Sequence, residues 1–374
     1  MKILYVRYGL QKNKQSGGSL IVDRNLRVLQ NIYGSEQVLC YSRIGVCNQI
    51  TSIAVVNSAF RFINRFSYYL ENLCSQNVHE ILQLIEQEKI ALVFIGTSSH
   101  GLLAQIIKQR FPKVIVITFF HNVEKLYHRQ LREYEGLKKV FNERAAEYNE
   151  QCACRYSDYI IAINERDSKQ LQAIYGRVAD CLMPVSFEDC VSTKALQVGA
   201  HSMAAEPRLL FLGSGFFANK AGVMHFIETI LPKTNATLQI VGYGTEKWQK
   251  VFPQSDRVQY CGYVEDALPC YLLADAVVAS IYCGSGMKVK IAEALMYGKH
   301  IIATPEAVVG YEAAIACGAV ESLTTDAAMI AAINALPQKN SSYNALARNC
   351  YLNNYTDAAV QIEFAKLIQK VANR

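Results

Sequence analysis

No run of apolar residues in this chain approaches the ~18 needed to cross a bilayer as a helix. The opening segment, Met1-Lys-Ile-Leu-Tyr-Val-Arg-Tyr8, is interrupted at Arg7 and is too short for a secretory hydrophobic region. A cytoplasmic, non-spanning protein is the expectation. No block of lysine and arginine dominates, and the formal net charge is only +6. A duplex nucleic-acid binder needs a clearer basic stripe, whereas an anionic small substrate or an acidic membrane surface suits this charge.

Metal signatures are missing too. There is no D-x-D pair and no His/Cys cluster at ligand spacing, so no protein-held metal is expected. The twelve cysteines are scattered, and the close pair Cys152-Ala-Cys154 fits neither a zinc knuckle nor a redox C-x-x-C, so reduced thiols are expected. A G-x-S-x-G elbow and a Walker A loop are both absent. So are solenoid repeats and low-complexity segments.

What remains is a 374-residue, 51% hydrophobic chain, long enough for two ordinary domains. Short β-branched runs alternate with helical patterns, which indicates an α/β fold of parallel sheets covered on both faces. Strands are predicted at 3–7, 37–41, 91–95, 114–119 and 159–163, with helices such as 78–88 and 143–155 between them. Their near-continuous apolar character suits strands buried on both sides. Residues 181–207 lack a sustained period and read as a linker. A second series follows at 208–212, 237–241, 257–261, 276–281 and 300–303, and 342–374 reads as helical. Two Rossmann-like domains are therefore expected, at 1–185 and 186–345, with 346–374 as a terminal helix. Such halves present ligands beyond the carboxyl ends of their strands.

The stretch Gly284-Ser-Gly-Met-Lys-Val-Lys-Ile-Ala-Glu293 joins a glycine loop to a helix. Glycines admit a ligand close to the backbone, the helix start attracts phosphate, and Glu293 can accept from two ribose hydroxyls. On a helix Gly286, Lys290 and Glu293 share one face. A surface Lys/Glu pair beside an ordinary turn is the bland alternative.

Gly213-Ser-Gly-Phe-Phe-Ala218 matches G-x-G-x-x-A after a strand. A nicotinamide site wants an acidic residue at the end of the next strand, but residues 237–241 run into Gly242-Tyr-Gly244. A phosphate-cradling loop with Lys220 nearby explains these residues better. Ser16-Gly17-Gly18-Ser19 is placed in the loop after the first strand, where it either admits a ligand or simply turns. His121 ends a strand and is a catalytic candidate, the alternative being a core histidine bonded to a carbonyl; Tyr127, His128 and Arg129 extend that region. Within 57–70, Arg61 and Arg65 face away from Phe62, Ile63, Phe66 and Tyr69, as in an interfacial helix or a core-packing one.

These motifs together resemble GT-B retaining glycosyltransferases of the family 4 group. The resemblance runs through residues 209–214, 240–244, 258–264, Ala274-Asp275 and Lys290-Ile-Ala-Glu-Ala-Leu-Met-Tyr-Gly298, continued by His300-Ile-Ile-Ala-Thr304. It covers essentially the whole chain and is most specific after residue 208. It implies two domains facing across a cleft, with the C-terminal helix crossing back to the first. It also implies a nucleotide diphosphate sugar as donor, with no cofactor beyond it.

By the same resemblance Glu293 binds the donor ribose and Val264 meets the base. Ser214, Gly215, Lys220 and Lys290 serve the diphosphate, with Gly17 and Gly18 from the other domain. Ser285, Gly286 and Met287 meet the donor sugar, and His121 and Lys290 are the catalytic candidates. One departure stands out: the first glutamate of the family's E-x7-E element falls at Ser285, which removes a carboxylate from the sugar side. The arginine common after the first strand of the donor domain is absent as well, since Phe216 and Phe217 occupy that loop. The expected activity is transfer of a hexose or N-acetylhexosamine to a glycan or lipid-linked acceptor in surface polysaccharide synthesis, with peripheral association at anionic membrane. A sugar-nucleotide epimerase and a non-catalytic partner on the same scaffold are the rivals.

Overall fold

The computed structural model describes residues 1–7, 17–42, 68–70, 73–135, 140–252 and 255–372. The chain divides into two compact units, one comprising Met1–Pro184 with Gln361–Arg374, the other Val185–Val360. The proposed basic and aromatic face around Arg61 and Arg65 lies outside the described residues, as does Ser16.

The first unit holds six parallel strands: β1 Ile3–Val6, β2 Val38–Tyr41, β3 Leu92–Ile95, β4 Ile115–Phe120, β5 Tyr159–Ala162 and β6 Cys181–Leu182, in the order β2-β1-β3-β4-β5-β6. β1, β3 and β5 are buried at every residue, because helices cover both faces. One face packs Leu4, Val6, Val93, Ile95 and Val116 against Val78, Ile81 and Ile85 of the helix Ser75–Gln87 and Leu103 and Ile107 of the helix Gly101–Arg110. Phe364, on the helix Asp357–Ala372, meets Phe94 edge-on at 6.0 Å.

The second unit repeats the scheme. β7 Arg208–Leu212, β8 Thr237–Val241, β9 Val258–Gly262, β10 Ala276–Ala279, β11 His300–Ala303 and β12 Val320–Ser322 are all parallel, in the order β12-β11-β10-β7-β8-β9. That order reverses between β7 and β10, so the connections leaving these two neighbours run to opposite sides and leave a crevice at their carboxyl ends. A core of Leu209, Phe211, Phe226, Ile230, Leu238, Ile240, Trp248 and Val278 fixes the sheet beneath it.

Three expectations are revised. Gly17 and Gly18 open the helix Gly17–Tyr33 instead of sitting in a loop. The helical tail is two helices, Ala345–Asn354 and Asp357–Ala372, separated at Tyr355 and Thr356, where Thr356 bridges to Phe187. The segment read as linker contains β6 and the helix Thr193–Val198, and it is tied down by one side chain. Arg348 is almost wholly buried; it grips the Asp189 carboxylate with two bonds of 2.9 and 2.7 Å and donates to the carbonyls of Val191 and Met296 and to Thr193 Oγ1. Local composition says loop, but this guanidinium supplies the partners a loop lacks.

Removing Arg348 leaves the buried Met296 carbonyl without this donor and returns the partly exposed Asp189 to solvent. Arg348→Ala is expected to cost about 1–3 kcal/mol, measured as a lowered denaturant midpoint for the second unit.

Candidate functional site

The crevice of the second unit is built where backbone passes backbone. The Gly213 N–H donates to Val241 O at 2.9 Å and the Gly215 N–H to Tyr243 O at 2.8 Å, joining the loops after β7 and β8. A Cβ on Gly242, whose φ is +140°, would stand 2.1 Å from Gly213 O. On the other side, a Cβ on Gly222 would stand 1.7 Å from Ser280 O, so the helix Phe217–His225 is pressed directly onto the chain leaving β10.

Two helices begin at this crevice with no side-chain cap. In Phe217–His225 the Lys220 N–H donates to Phe216 O at 3.0 Å; in Val289–Met296 the Ile291 N–H donates to Lys288 O at 3.0 Å. The N–H groups before these have no acceptor within their helices, and both helix dipoles favour an anion there.

Lys290 is buried between the two starts. Its Nζ donates to Asn219 Oδ1 at 2.9 Å and lies 4.0 Å from the centre of the Phe211 ring. Burial is the main reason that its pKa falls to about 7, with the neighbouring Lys288 adding to it. Glu293, one turn on, accepts from Tyr271 Oη at 3.3 Å, and burial lifts its pKa to about 7. Each has a partner other than its helix neighbour, so the bland surface-pair alternative does not hold. The shared face needs correction at one residue, however. Gly286 lies before the helix, with φ +61°, a left-handed conformation that glycine alone adopts without strain.

Ser285, Gly286 and Met287 form the loop ahead of this helix. Lys288 holds it, its Nζ donating to Ser285 O at 3.3 Å, Gly286 O at 3.2 Å and Glu306 Oε1 at 2.9 Å. Met287 is buried against Gly310, where a Cβ would come within 2.5 Å of Met287 Cγ. Ser214 gives its carbonyl to Asn219 Nδ2 at 3.0 Å, and Lys220 is half-buried one residue further along that helix. The structure thus gathers Ser214, Gly215, Lys220, Lys290 and the 285–287 loop around the switch point. Val264 stands apart, half-buried after the edge strand β9, two strands from β7.

In the first unit, His121 directly follows β4. Its Nε2 lies 2.8 Å from Gly96 O at the end of β3; since a carbonyl only accepts, Nε2 carries the proton. Burial lowers the imidazole pKa to about 4, so the ring is neutral near pH 7. Nδ1 is then a lone pair, buried and with no hydrogen-bond partner among the described residues. The bonded-core alternative describes the Nε2 side of the ring, and the Nδ1 side is buried as well. Glu150, buried on the helix Val140–Tyr156, fixes the following turn by accepting from the N–H groups of Glu124 at 2.7 Å and Lys125 at 3.1 Å and from Tyr175 Oη at 2.8 Å. His128 is buried 3.8 Å from Glu124, whereas Arg129 pairs with Glu143. Among the described residues, no cluster of three His, Cys, Asp or Glu is arranged to hold a metal, and no helix is long and apolar enough to cross a membrane.

Asn219, Lys288 and Glu150 were not singled out from the sequence. Glu150 did carry a signal, lying between Ala146 and Ala153 on a buried helix face. Asp275, part of the quoted resemblance, accepts from the Arg208 N–H at 2.7 Å and lies 2.8 Å from His201 Nε2 at the amino-terminal end of β10, far along the strand from the crevice.

Comparison with known proteins bears on the family and the fold. The family described as glycosyl transferases group 1 matches residues 206–338. That span runs from β7 past β12 and includes every candidate residue of the second unit. No curated protein matches the chain. Among solved structures, the chain is similar to HepE of Anabaena in complex with UDP, with a TM-score of 0.67 and 14% identity over 99% of this chain and 100% of that one. It is also similar to sucrose-phosphate synthase from Thermosynechococcus elongatus, with a TM-score of 0.70 and 14% identity over 100% of both chains. The lipopolysaccharide outer core galactosyltransferase WaaB in its apo form gives a TM-score of 0.61 and 14% identity over 99% of both. At these identities the likeness establishes the fold: two Rossmann-like domains of the GT-B type.

Gly222 tests how tightly the crevice is built. Gly222→Ala should destabilise the second unit by about 1–3 kcal/mol through overpacking, seen as a lower thermal midpoint.

Proposed function

We propose that this protein is a retaining glycosyltransferase of the family 4 type. It moves a hexose or N-acetylhexosamine from a nucleotide diphosphate sugar to a glycan or lipid-linked acceptor in surface polysaccharide synthesis, at the inner face of an anionic membrane. The observation that carries this is a buried lysine between two uncapped helix starts, with a carboxylate one turn on, inside the stretch matching glycosyl transferases group 1. Structures of HepE contain UDP and UDP-glucose, which makes a uridine donor the first to test.

In this scheme the diphosphate lies across the two helix starts, where Lys290 and Lys220 offset the charge that grows on it as the sugar leaves. Glu293 accepts from the ribose hydroxyls, and Val264 meets the base. The Ser285–Met287 loop lines the sugar with backbone and a hydroxyl, so no enzymic carboxylate is available there as a nucleophile. A front-face displacement asks less of the protein. The acceptor oxygen bonds to the anomeric carbon on the face from which the diphosphate departs, and its proton passes to the departing phosphate oxygen. His121 serves the reaction as a neutral imidazole, and Gly17 and Gly18 offer helix-start N–H groups to phosphate.

Donor affinity should peak near pH 7. Lys290 must be protonated to hold the diphosphate, so affinity falls as pH rises through its pKa of about 7. Glu293 must be ionised to accept from ribose, so affinity also falls as pH drops below its pKa of about 7. Nucleotide sugars have no phosphate group titrating in this range and their bases ionise only above it, so calorimetric titration of UDP-, GDP- and dTDP-sugars from pH 5.5 to 8 reads the protein groups. A flat profile contradicts the assignment.

Glu293→Ala should raise the donor KM by roughly tenfold or more, the loss of a charged hydrogen-bond acceptor, with a smaller change in kcat. Unchanged donor kinetics would remove the ribose role. Conversion of a nucleotide sugar without acceptor would mark an epimerase instead, and binding with neither transfer nor slow hydrolysis a non-catalytic partner.

A further inference from the structure

We infer that Asn219 is a positioning residue for the donor, holding the Lys290 ammonium and the loop after β7 as one anion-receiving unit. This rests on the glycosyltransferase reading and adds a residue to it. Asn219 lies in the first turn of the helix Phe217–His225, 71 positions from Lys290 in the chain, and its amide is used at both ends. Oδ1 accepts from Lys290 Nζ at 2.9 Å, and Nδ2 donates to Ser214 O at 3.0 Å. The amide orientation is determined, since an ammonium only donates and a carbonyl only accepts.

The surroundings leave this pair no other place. A Cβ on Gly213 would stand 2.8 Å from Asn219 Nδ2 and 3.0 Å from Lys290 Nζ, so the glycine makes room for both. The Phe211 ring closes the far side of the ammonium. Asn219 takes one of its three N–H bonds and is its one hydrogen-bond partner among the described residues, which leaves two to offer a ligand oxygen.

The choice of a neutral amide has a consequence. The charged groups acting on Lys290 are Lys288 and Glu293; from β7 it meets an uncharged ring and from the helix Phe217–His225 an uncharged amide. A carboxylate of the same shape in place of Asn219 would pair with the ammonium, keep it protonated to higher pH and set a negative charge beside the bound diphosphate.

Asn219→Ala and Asn219→Asp separate positioning from support. Binding of UDP-, GDP- and dTDP-sugars and of inorganic pyrophosphate is measured by calorimetry from pH 6 to 9, with thermal unfolding as a check on folding. Asn219→Ala is expected to weaken the best-bound nucleotide sugar by about tenfold or more. Asn219→Asp, which is isosteric and keeps a folded alternative if the alanine variant fails, should weaken binding at pH 7 and move the alkaline loss of affinity to higher pH by at least one unit. A purely structural role would not move that limb. Wild-type affinity and an unmoved limb in the folded aspartate variant overturn the proposal alone. A wild-type protein that binds neither nucleotide sugar nor pyrophosphate overturns the glycosyltransferase reading, and this proposal with it.

Discussion

The second unit depends on backbone segments approaching closer than a side chain allows. At Gly242 and Gly222 the distances from an added Cβ to a facing carbonyl oxygen are 2.1 and 1.7 Å, far inside contact. The loops after β7 and β8 are thereby fused, and the helix Phe217–His225 rests on the exit of β10 with nothing between them. Everything that gives the crevice its chemistry follows. The helix start sits at the switch point, Asn219 projects from its first turn, and the ammonium of Lys290 has a floor, a wall and one fixed partner.

Burying an ammonium and a carboxylate one turn apart is costly, and the cost appears as two pKa values drawn to about 7. Their mutual attraction is outweighed by the loss of water, and the direct hydrogen-bond partner of each is neutral, Asn219 and Tyr271. A site left in this condition gains from an anion beside the lysine and hydroxyl donors beside the glutamate. Preorganised charge of this kind costs no rearrangement when ligand charge develops.

The architecture was legible because buried parallel strands are continuous apolar runs. The ten longer strands were located to within one or two residues at each end. β6 and β12 were missed, being two and three residues long at sheet edges, with Val-Glu-Ser carrying no apolar pattern. The crevice was partly legible, since glycine loops and a lysine and glutamate on a short helix leave marks in local sequence. Asn219, Lys288 and Arg348 left none. Their roles come from partners 71, 18 and 159 positions away, and spacing along one element cannot report a contact between elements. The face shared by Gly286 failed for a related reason, because helical spacing was extended through a residue whose backbone is left-handed.

Ser285 gains a different meaning from this geometry. A glutamate there would place a carboxylate in a loop already gathered onto Lys288, whose ammonium donates to two loop carbonyls and to Glu306. The loop is thus held by a lysine through its backbone, and Glu306 lies on a different segment. Glu306, the acidic group near this loop, braces it from the chain beyond β11. A carboxylate paired with Lys288 in that way helps to set the shape of the loop. In the proposed transfer, the chemistry then rests on the leaving diphosphate and on the cation and helix starts that receive it.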